Sequence, residues 1–280
     1  MMVSKSVASA PPAPPAPPAP PAPPWFLWLD DTPRPGYFNM AIDSALLALA
    51  EADGVGFLRL YRWAPVCISF GRHEPATRRY DRAKIEALGV DVVRRPTGGR
   101  AVWHDAELTY AVAAPLGTLG TLAESCRRIH AMLRDGLALL GVTATLAPPP
   151  EQAVGPGGGN CFAIATGSEL LVGDRKVAGS AQLRTDRALL QHGSLLLAGD
   201  QSPLARLGPV APPSSPRSSH PHSNHPLGRP VGFGEAAEAV AEAARRWPGE
   251  WSRIARGWPI VERAAAYADG FRSQAWTWCR

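Results

Sequence analysis

Cys161 and Lys176 stand fifteen positions apart in the stretch GNCFAIATGSELLVGDRKVAGSAQLR. A thiol attacks carbonyl carbon as its thiolate, and a nearby ammonium favours that form. The thioester formed is itself open to attack by an amine, so such a pair suits acyl transfer without prior activation by ATP. On residue type alone the ordinary reading is blander: a core thiol beside Phe162 and a solvated amine beside a turn.

A second candidate is RRPTGGRAVWHD, residues 94–105. Gly98 and Gly99 let backbone come close to a ligand, while Arg94, Arg95 and Arg100 bring positive charge. Such a loop can cradle an acyl carbonyl, a phosphate or a pantetheine arm. A structural turn explains the composition equally well. Neither the Walker spacing nor the dinucleotide fingerprint is present. His104 and Asp105 are adjacent, and neighbours in a strand point to opposite faces, so His104 is read as shaping the pocket rather than as half of a base pair.

The elements that must position these residues can be read from periodicity. YFNMAIDSALLALAEADG predicts a helix with Asn39 as N-cap, Ile42, Leu46 and Leu49 as its apolar stripe, and Gly54 as its stop. FLRLYRW and VCISFG predict paired strands, followed by a short helix DRAKIEALG and the strand VDVVRR. After the glycine loop comes LTYAVAA, another strand. TLAESCRRIHAMLRDGLALLG predicts the clearest helix, with a Thr121–Glu124 capping box and a stripe of Leu122, Cys126, Ile129, Leu133, Leu137 and Leu140. SELLV and RKVAG, joined at Gly173-Asp174, predict a hairpin that brings Lys176 back towards Cys161. AQLR, ALLQHG and SLLLA continue in strands, and GEAAEAVAEAARRW predicts a closing helix. Strands and helices mix without regular alternation, which indicates an α+β fold.

Composition narrows the function classes. A hydrophobic fraction of 45% suffices for one sizeable core, and no apolar run is long enough to cross a membrane. The net charge of +5 comes without a dense basic run interleaved with aromatics, so nucleic acid is not the expected partner. Four cysteines without metal-type or paired spacing fit reduced thiols in the cytoplasm. No metal site is expected: His220, His222 and His225 have nothing to fix their geometry. Cys67 and Cys126 read as core residues and Cys279 as an uninvolved thiol. The expected organisation is an Ala/Pro-rich tail over 1–24, a catalytic domain over 25–200, a Pro/Ser/His-rich mobile loop over 201–232, and a helical segment over 233–280 packing on the domain.

RRPTGGRAVWHDAELTYAV, DRKVAGSAQLR and LLQHGSLLL, in that order, resemble the biotin/lipoate protein ligase and lipoyltransferase family over roughly residues 25–200. Cys161-Phe162 ahead of the ELLV strand, GGR in place of a third glycine, and YFNMAIDSALL resemble its cysteine-dependent octanoyltransferase branch. The resemblance implies a mixed β-sheet flanked by helices, as in biotin ligase catalytic domains. It implies transfer of octanoyl from acyl carrier protein to a lysine of lipoyl domains, such as glycine cleavage H protein or dehydrogenase E2 subunits, in a monomer without cofactor. Cys161 would be the nucleophile and Lys176 the basic residue beside it. Arg95, Gly98, Gly99, Arg100, His104, Gly179, Ser180, Ala181, Gln182, His192 and Gly193 would line the acyl tunnel and contact the carrier arm. An ATP-dependent lipoate–protein ligase is the nearest alternative, but a ligase needs no nucleophilic cysteine. A non-catalytic binder of acylated partners is a third.

Overall fold

The computed structural model describes residues 22–147, 169–208, 225–255 and 258–280. In chain order, β1 (Trp25–Arg34), α1 (Gly36–Asp53) and β2 (Gly56–Trp63) form a parallel crossover unit. Then come β3 (Cys67–Phe70), α2 (Ala76–Arg79), α3 (Arg82–Ala87), β4 (Asp91–Arg94), β5 (Val102–His104) and β6 (Glu107–Pro115). α4 (Leu122–Leu139), β7 (Thr145–Leu146), β8 (Leu170–Val172), β9 (Arg175–Lys176), β10 (Ala178–Arg184) and β11 (Ala188–Leu196) follow. The chain continues through α5 (Ser202–Ala205), α6 (Phe233–Ala244), β12 (Trp251–Arg253), α7 (Trp258–Arg272) and α8 (Gln274–Thr277).

Six strands in the order β10-β11-β6-β2-β1-β12 make one mixed sheet, parallel at β2-β1-β12 and antiparallel elsewhere. Helices cover both faces. Leu58 and Leu60 point to one side, where Ile129, Leu133 and Leu137 of α4 pack with Val240 of α6. Phe57 and Tyr61 alternate to the other side, onto Met40, Ile42 and Leu46 of α1 and Ala264 of α7. Burial of both faces is why the sheet's inner strands read as nearly unbroken apolar runs. A second sheet, β4-β3-β5, and a third, β7-β8-β9, flank this layer.

The closing segment is part of this layer. β12 pairs with β1, α6 packs on α4, α7 packs on α1, and α8 lies against β4.

Several local expectations give way to tertiary structure. FLRLYRW and VCISFG are not partners: β2 lies in the large sheet and β3 in the small one. Pro65, between them, has no N–H to carry a ladder through the turn. Asn39 is not the N-cap. α1 starts at Gly36, whose backbone N–H donates to the Asp91 carboxylate at 2.6 Å, so the cap comes from β4 in the neighbouring sheet. Val102–His104, expected as loop, pairs with β3. The capping box of α4 is present, but its stripe begins a turn late: Leu122 is exposed and Cys126 only half-buried, while Ser125 and Ile129 face inward. α6 packs at Gly136, in the second half of the helix, through Val240. The described ends of 201–232 carry structure: α5 buries Leu204, and Leu207, Leu227 and Val231 join the core. Residues 209–224, with His220 and His222, and the tail over 1–21 lie outside the described residues.

Candidate active site

β10 and β11 run antiparallel, setting Gly179, Ser180 and Ala181 opposite Ser194, Gly193 and His192. Together with Met40, Tyr61, Trp63, Ser69, Arg95, Val102, His104 and Thr109 they line a cleft whose walls mix apolar surface with a few buried polar groups. Gly193 cannot be enlarged, because a Cβ there would come 2.3 Å from the Gly179 carbonyl oxygen and 2.7 Å from the Tyr110 hydroxyl.

The glycine loop closes one side. Gly99 has φ +89°, and a Cβ on Gly71 would sit 1.9 Å from the Gly99 oxygen, so loop and β3 meet backbone to backbone. Arg95 is buried and turned inward. Its Nη2 donates to the carbonyls of Gly98 (2.8 Å) and Arg100 (2.7 Å), and its Nη1 to the Ser69 carbonyl and hydroxyl (3.0 Å each). Arg94 donates to carbonyls of Gly71, Glu74, Trp276 and Thr277 and ties β4 to α8. These two arginines build the loop; neither was expected to be spent on carbonyls.

Two histidine relays reach the cleft. His104 Nε2 lies 2.7 Å from Ser69 Oγ and Nδ1 lies 2.7 Å from Glu107 Oε1, with the ring stacked on Trp63. The acid is Glu107, not the adjacent Asp105. His192 Nδ1 lies 2.8 Å from Asp43 Oδ2, and Nε2 lies 2.6 Å from Thr97 Oγ1 in the glycine loop. Asp43 also accepts from Arg59 (3.0 Å) and Tyr61 (2.9 Å). Arg59, fully buried, reaches Asp30 and the Asn39 side chain as well, which explains why Asn39 is inside α1. Burial first, and then the Asp43 charge, push the Tyr61 phenol well up, so Tyr61 stays a donor.

Ser180 Oγ lies 2.8 Å from His130 Nε2 of α4, and His130 Nδ1 lies 3.9 Å from the Cys126 sulfur. Burial pushes the Cys126 thiol up.

Of the residues expected to form the site, Arg95, His104, Gly179, Ser180, Ala181, His192 and Gly193 come together on the cleft. Gly98, Gly99 and Arg100 are not among its lining residues, and Gln182 turns to the Leu122 carbonyl and the Gln191 side chain instead. Lys176 is not the solvated lysine that its place beside a turn suggests. It is nearly buried in the β8-β9 hairpin, and its Nζ pairs with the Glu169 carboxylate. Cys161 lies outside the described residues. Ser69, Asp43, Thr97 and Glu107 were missed. Asp43 had a signal: with Asn39 it forms an i, i+4 polar pair among the otherwise non-polar buried residues of α1. Glu107 had none beyond its closeness in sequence to His104.

The lipoyl protein ligase A/B catalytic domain matches residues 35–232, most of the chain. The chain belongs to that family. An octanoyltransferase LipM of Symbiobacterium thermophilum is 40% identical over 232 residues, covering 78% of this chain and 84% of that one. The LipM of Exiguobacterium sibiricum is 43% identical over 175 residues, 59% of this chain and 63% of its own length, so this alignment leaves more than a third of that relative unmatched. A bipartite lipoate protein ligase of Thermoplasma acidophilum, solved in a study with its E2 lipoyl domain, superposes with a TM-score of 0.70 at 20% identity, over 91% of this chain and 96% of that one. That likeness is one of fold. This lipoyl ligase-type domain has the mixed sheet flanked by helices that its motifs implied, with the three motifs on β5-β6, β9-β10 and β11.

Proposed function

We propose that this chain is an octanoyltransferase of protein lipoylation, which carries octanoyl from acyl carrier protein as a thioester on Cys161 and delivers it to a lysine of lipoyl domains. Glycine cleavage H protein and dehydrogenase E2 subunits are acceptors of that kind. The enzyme works as a cytoplasmic monomer. The activity is supported by LipM relatives that share 37–43% of their residues with it and carry the octanoyltransferase name.

In the structure, the reading is supported by a nearly buried cation, Lys176, three positions in sequence before the strand segment that walls a partly apolar cleft. Lys176 ends β9, and one residue later β10 begins, whose Gly179–Ala181 segment forms the cleft wall. The cleft takes the acyl chain between Met40, Val102 and Ala181. The Lys176 side chain, ion-paired with Glu169, favours the thiolate of Cys161 over its thiol. The thiolate adds to the thioester carbonyl of the donor, the carrier's thiolate leaves, and the acyl group is held as a new thioester. The lysine amine of the acceptor then displaces Cys161, giving the amide. No nucleotide enters, because the donor bond is already activated.

Intact-mass measurement after mixing with octanoyl-acyl carrier protein tests this. The expected result is an octanoyl adduct that Cys161→Ala lacks and that chases into a lipoyl domain. Modification of the lipoyl domain only with ATP and free octanoate would overturn the reading in favour of a ligase.

A further inference from the structure

Aminolysis of a thioester has a requirement that the Cys161–Lys176 pairing leaves open. A lysine amine is ordinarily protonated at neutral pH, and it must lose a proton to become, and finish as, an amide nitrogen. Lys176 is ion-paired with Glu169 and enters the reaction as an ammonium, with no lone pair to accept that proton.

The group that can do so lies on the cleft. The polarity of the chain Arg95–Ser69–His104–Glu107 is fixed from both ends. The Arg95 guanidinium is only a donor, so Ser69 Oγ accepts from it, and the single hydroxyl proton of Ser69 goes to His104 Nε2. Glu107 accepts from His104, Thr109 and Ser194, so the imidazole carries its proton on Nδ1. His104 therefore presents an unprotonated nitrogen through a hydroxyl whose second lone pair faces the cleft that Ser69 and His104 both line.

Two further facts distinguish this relay from the one through His192. Asp43 is already neutralised by Arg59, whereas no Lys or Arg pairs with Glu107 among the described residues. All three donors crowd onto Glu107 Oε1, while Oε2 is buried and meets no donor among the described residues. A buried, under-compensated carboxylate gains by acquiring a cation beside it.

We propose that Ser69, His104 and Glu107 are the proton relay of the second half-reaction, with Ser69 as the group that touches the incoming amine and His104 and Glu107 acting through it. The inference rests on the octanoyltransferase reading above. The acceptor's ammonium first gives a proton to Ser69 Oγ as the Ser69 proton passes to His104 Nε2, leaving the neutral amine. As the nitrogen–carbon bond forms and the carbon–sulfur bond breaks, the leaving Cys161 sulfur takes the second nitrogen proton, and the imidazolium beside Glu107 later releases the first to solvent. The sum is thioester plus ammonium giving amide, thiol and a proton.

The test separates the half-reactions. Octanoyl-enzyme is first formed from octanoyl-acyl carrier protein, freed of donor, and then mixed with a lipoyl domain or with hydroxylamine, an amine that is neutral at neutral pH. Ser69→Ala and Glu107→Gln accumulate adduct, because exchange between two thiols deprotonates no amine. Transfer from the Glu107→Gln adduct to the lipoyl domain slows by about 10²-fold or more, the usual worth of a positioned base. Ser69→Ala, the milder change, slows in the same step. Release by hydroxylamine is the same in wild type and variants.

The pH profile of transfer gives an independent readout. Wild type levels off, whereas the variants keep rising with pH as free amine appears in solution. The groups facing His104 are Glu107 from β6, Arg95 through Ser69, Cys67 opposite it in β3, Tyr61 of β2, and His192 on the same cleft. Of these, only the Glu107 charge is removed in Glu107→Gln. Equal transfer rates in wild type and both variants, or hydroxylamine release slowed in parallel with transfer, would overturn the relay and leave the transferase standing. Wild-type protein that forms no adduct would overturn the transferase reading and the relay with it.

Discussion

Replacing Lys176 by methionine separates two jobs that one residue holds. Its Nζ pairs with Glu169, and the two side chains are only 7% and 10% exposed. Lys176→Met leaves the Glu169 carboxylate nearly buried without its partner, and breaking such a pair costs about 3–5 kcal/mol. Lys176→Met with Glu169→Gln removes the stranded charge and recovers most of that loss. The catalytic job does not come back. On the proposed mechanism, loss of the Lys176 ammonium raises the Cys161 thiol, and a rise of about one unit is about 1.4 kcal/mol, or tenfold less thiolate at neutral pH. Urea unfolding followed by tryptophan fluorescence reads the first effect, and the rate of octanoyl-adduct formation by intact mass reads the second. The double variant should unfold near wild type, acylate about tenfold more slowly at neutral pH, and regain rate as pH rises. A double variant that acylates at the wild-type rate would refute Lys176 as the activating cation. Unchanged stability in the single variant would refute the claim that the pair offsets a buried charge.

Arg59→Met leaves Asp43 in the interior without a guanidinium partner and Asp30 with Arg34 alone, and by the same principle costs about 3–5 kcal/mol; calorimetry should find a lower Tm, with Asp43→Asn in the same protein restoring part of it. Gly193→Ala, whose Cβ meets the Gly179 carbonyl and the Tyr110 hydroxyl, should force β10 and β11 apart, lowering the Tm in thermal melting and adduct formation by intact mass together. Burial raises the Cys67 thiol and the Tyr61 phenol, so their contribution to stability is present below the unfolded values, about 8.5 and 10, and is lost as pH rises past them. The Tm should therefore fall above pH ~8.5, and Cys67→Ala should flatten the first part of that fall. Among Cys67, Cys126 and Cys279, iodoacetamide should label exposed Cys279 first, half-buried Cys126 slowly, and Cys67 only on unfolding.

Periodicity and turn chemistry carried the local elements well where a segment's own residues decide its shape. The Thr121–Glu124 box starts α4, and Gly173, at φ +56°, turns the β8-β9 hairpin. The errors all involve a partner distant in sequence. α1 begins three residues before Asn39 because Asp91, fifty-five positions on, supplies the cap. Arg94 and Arg95 look like ligand-binding charge and are instead consumed by carbonyls, which only the folded loop brings within reach.

The site follows the same rule at the level of chemistry. Motif residues such as His104, His192 and Ser180 were legible because they sit in contiguous, unusual strings. The groups that give those residues a protonation state were not, since they come from other elements: Asp43 from α1, Ser69 from β3, Glu107 from the start of β6. The six-stranded sheet makes that assembly possible. Register sets Ser194 of β11 opposite Thr109 of β6 and His192 opposite Ala111, so alternate residues of neighbouring strands surround one cleft. A one-residue slip between β6 and β11 would turn Ser194 and His192 away from Glu107 and Asp43 together. The strand register that buries Leu108 and Leu195 on one side is thus also what orients His192 and Ser194 on the other, and the sequence pattern that folds the sheet is the pattern that builds the site.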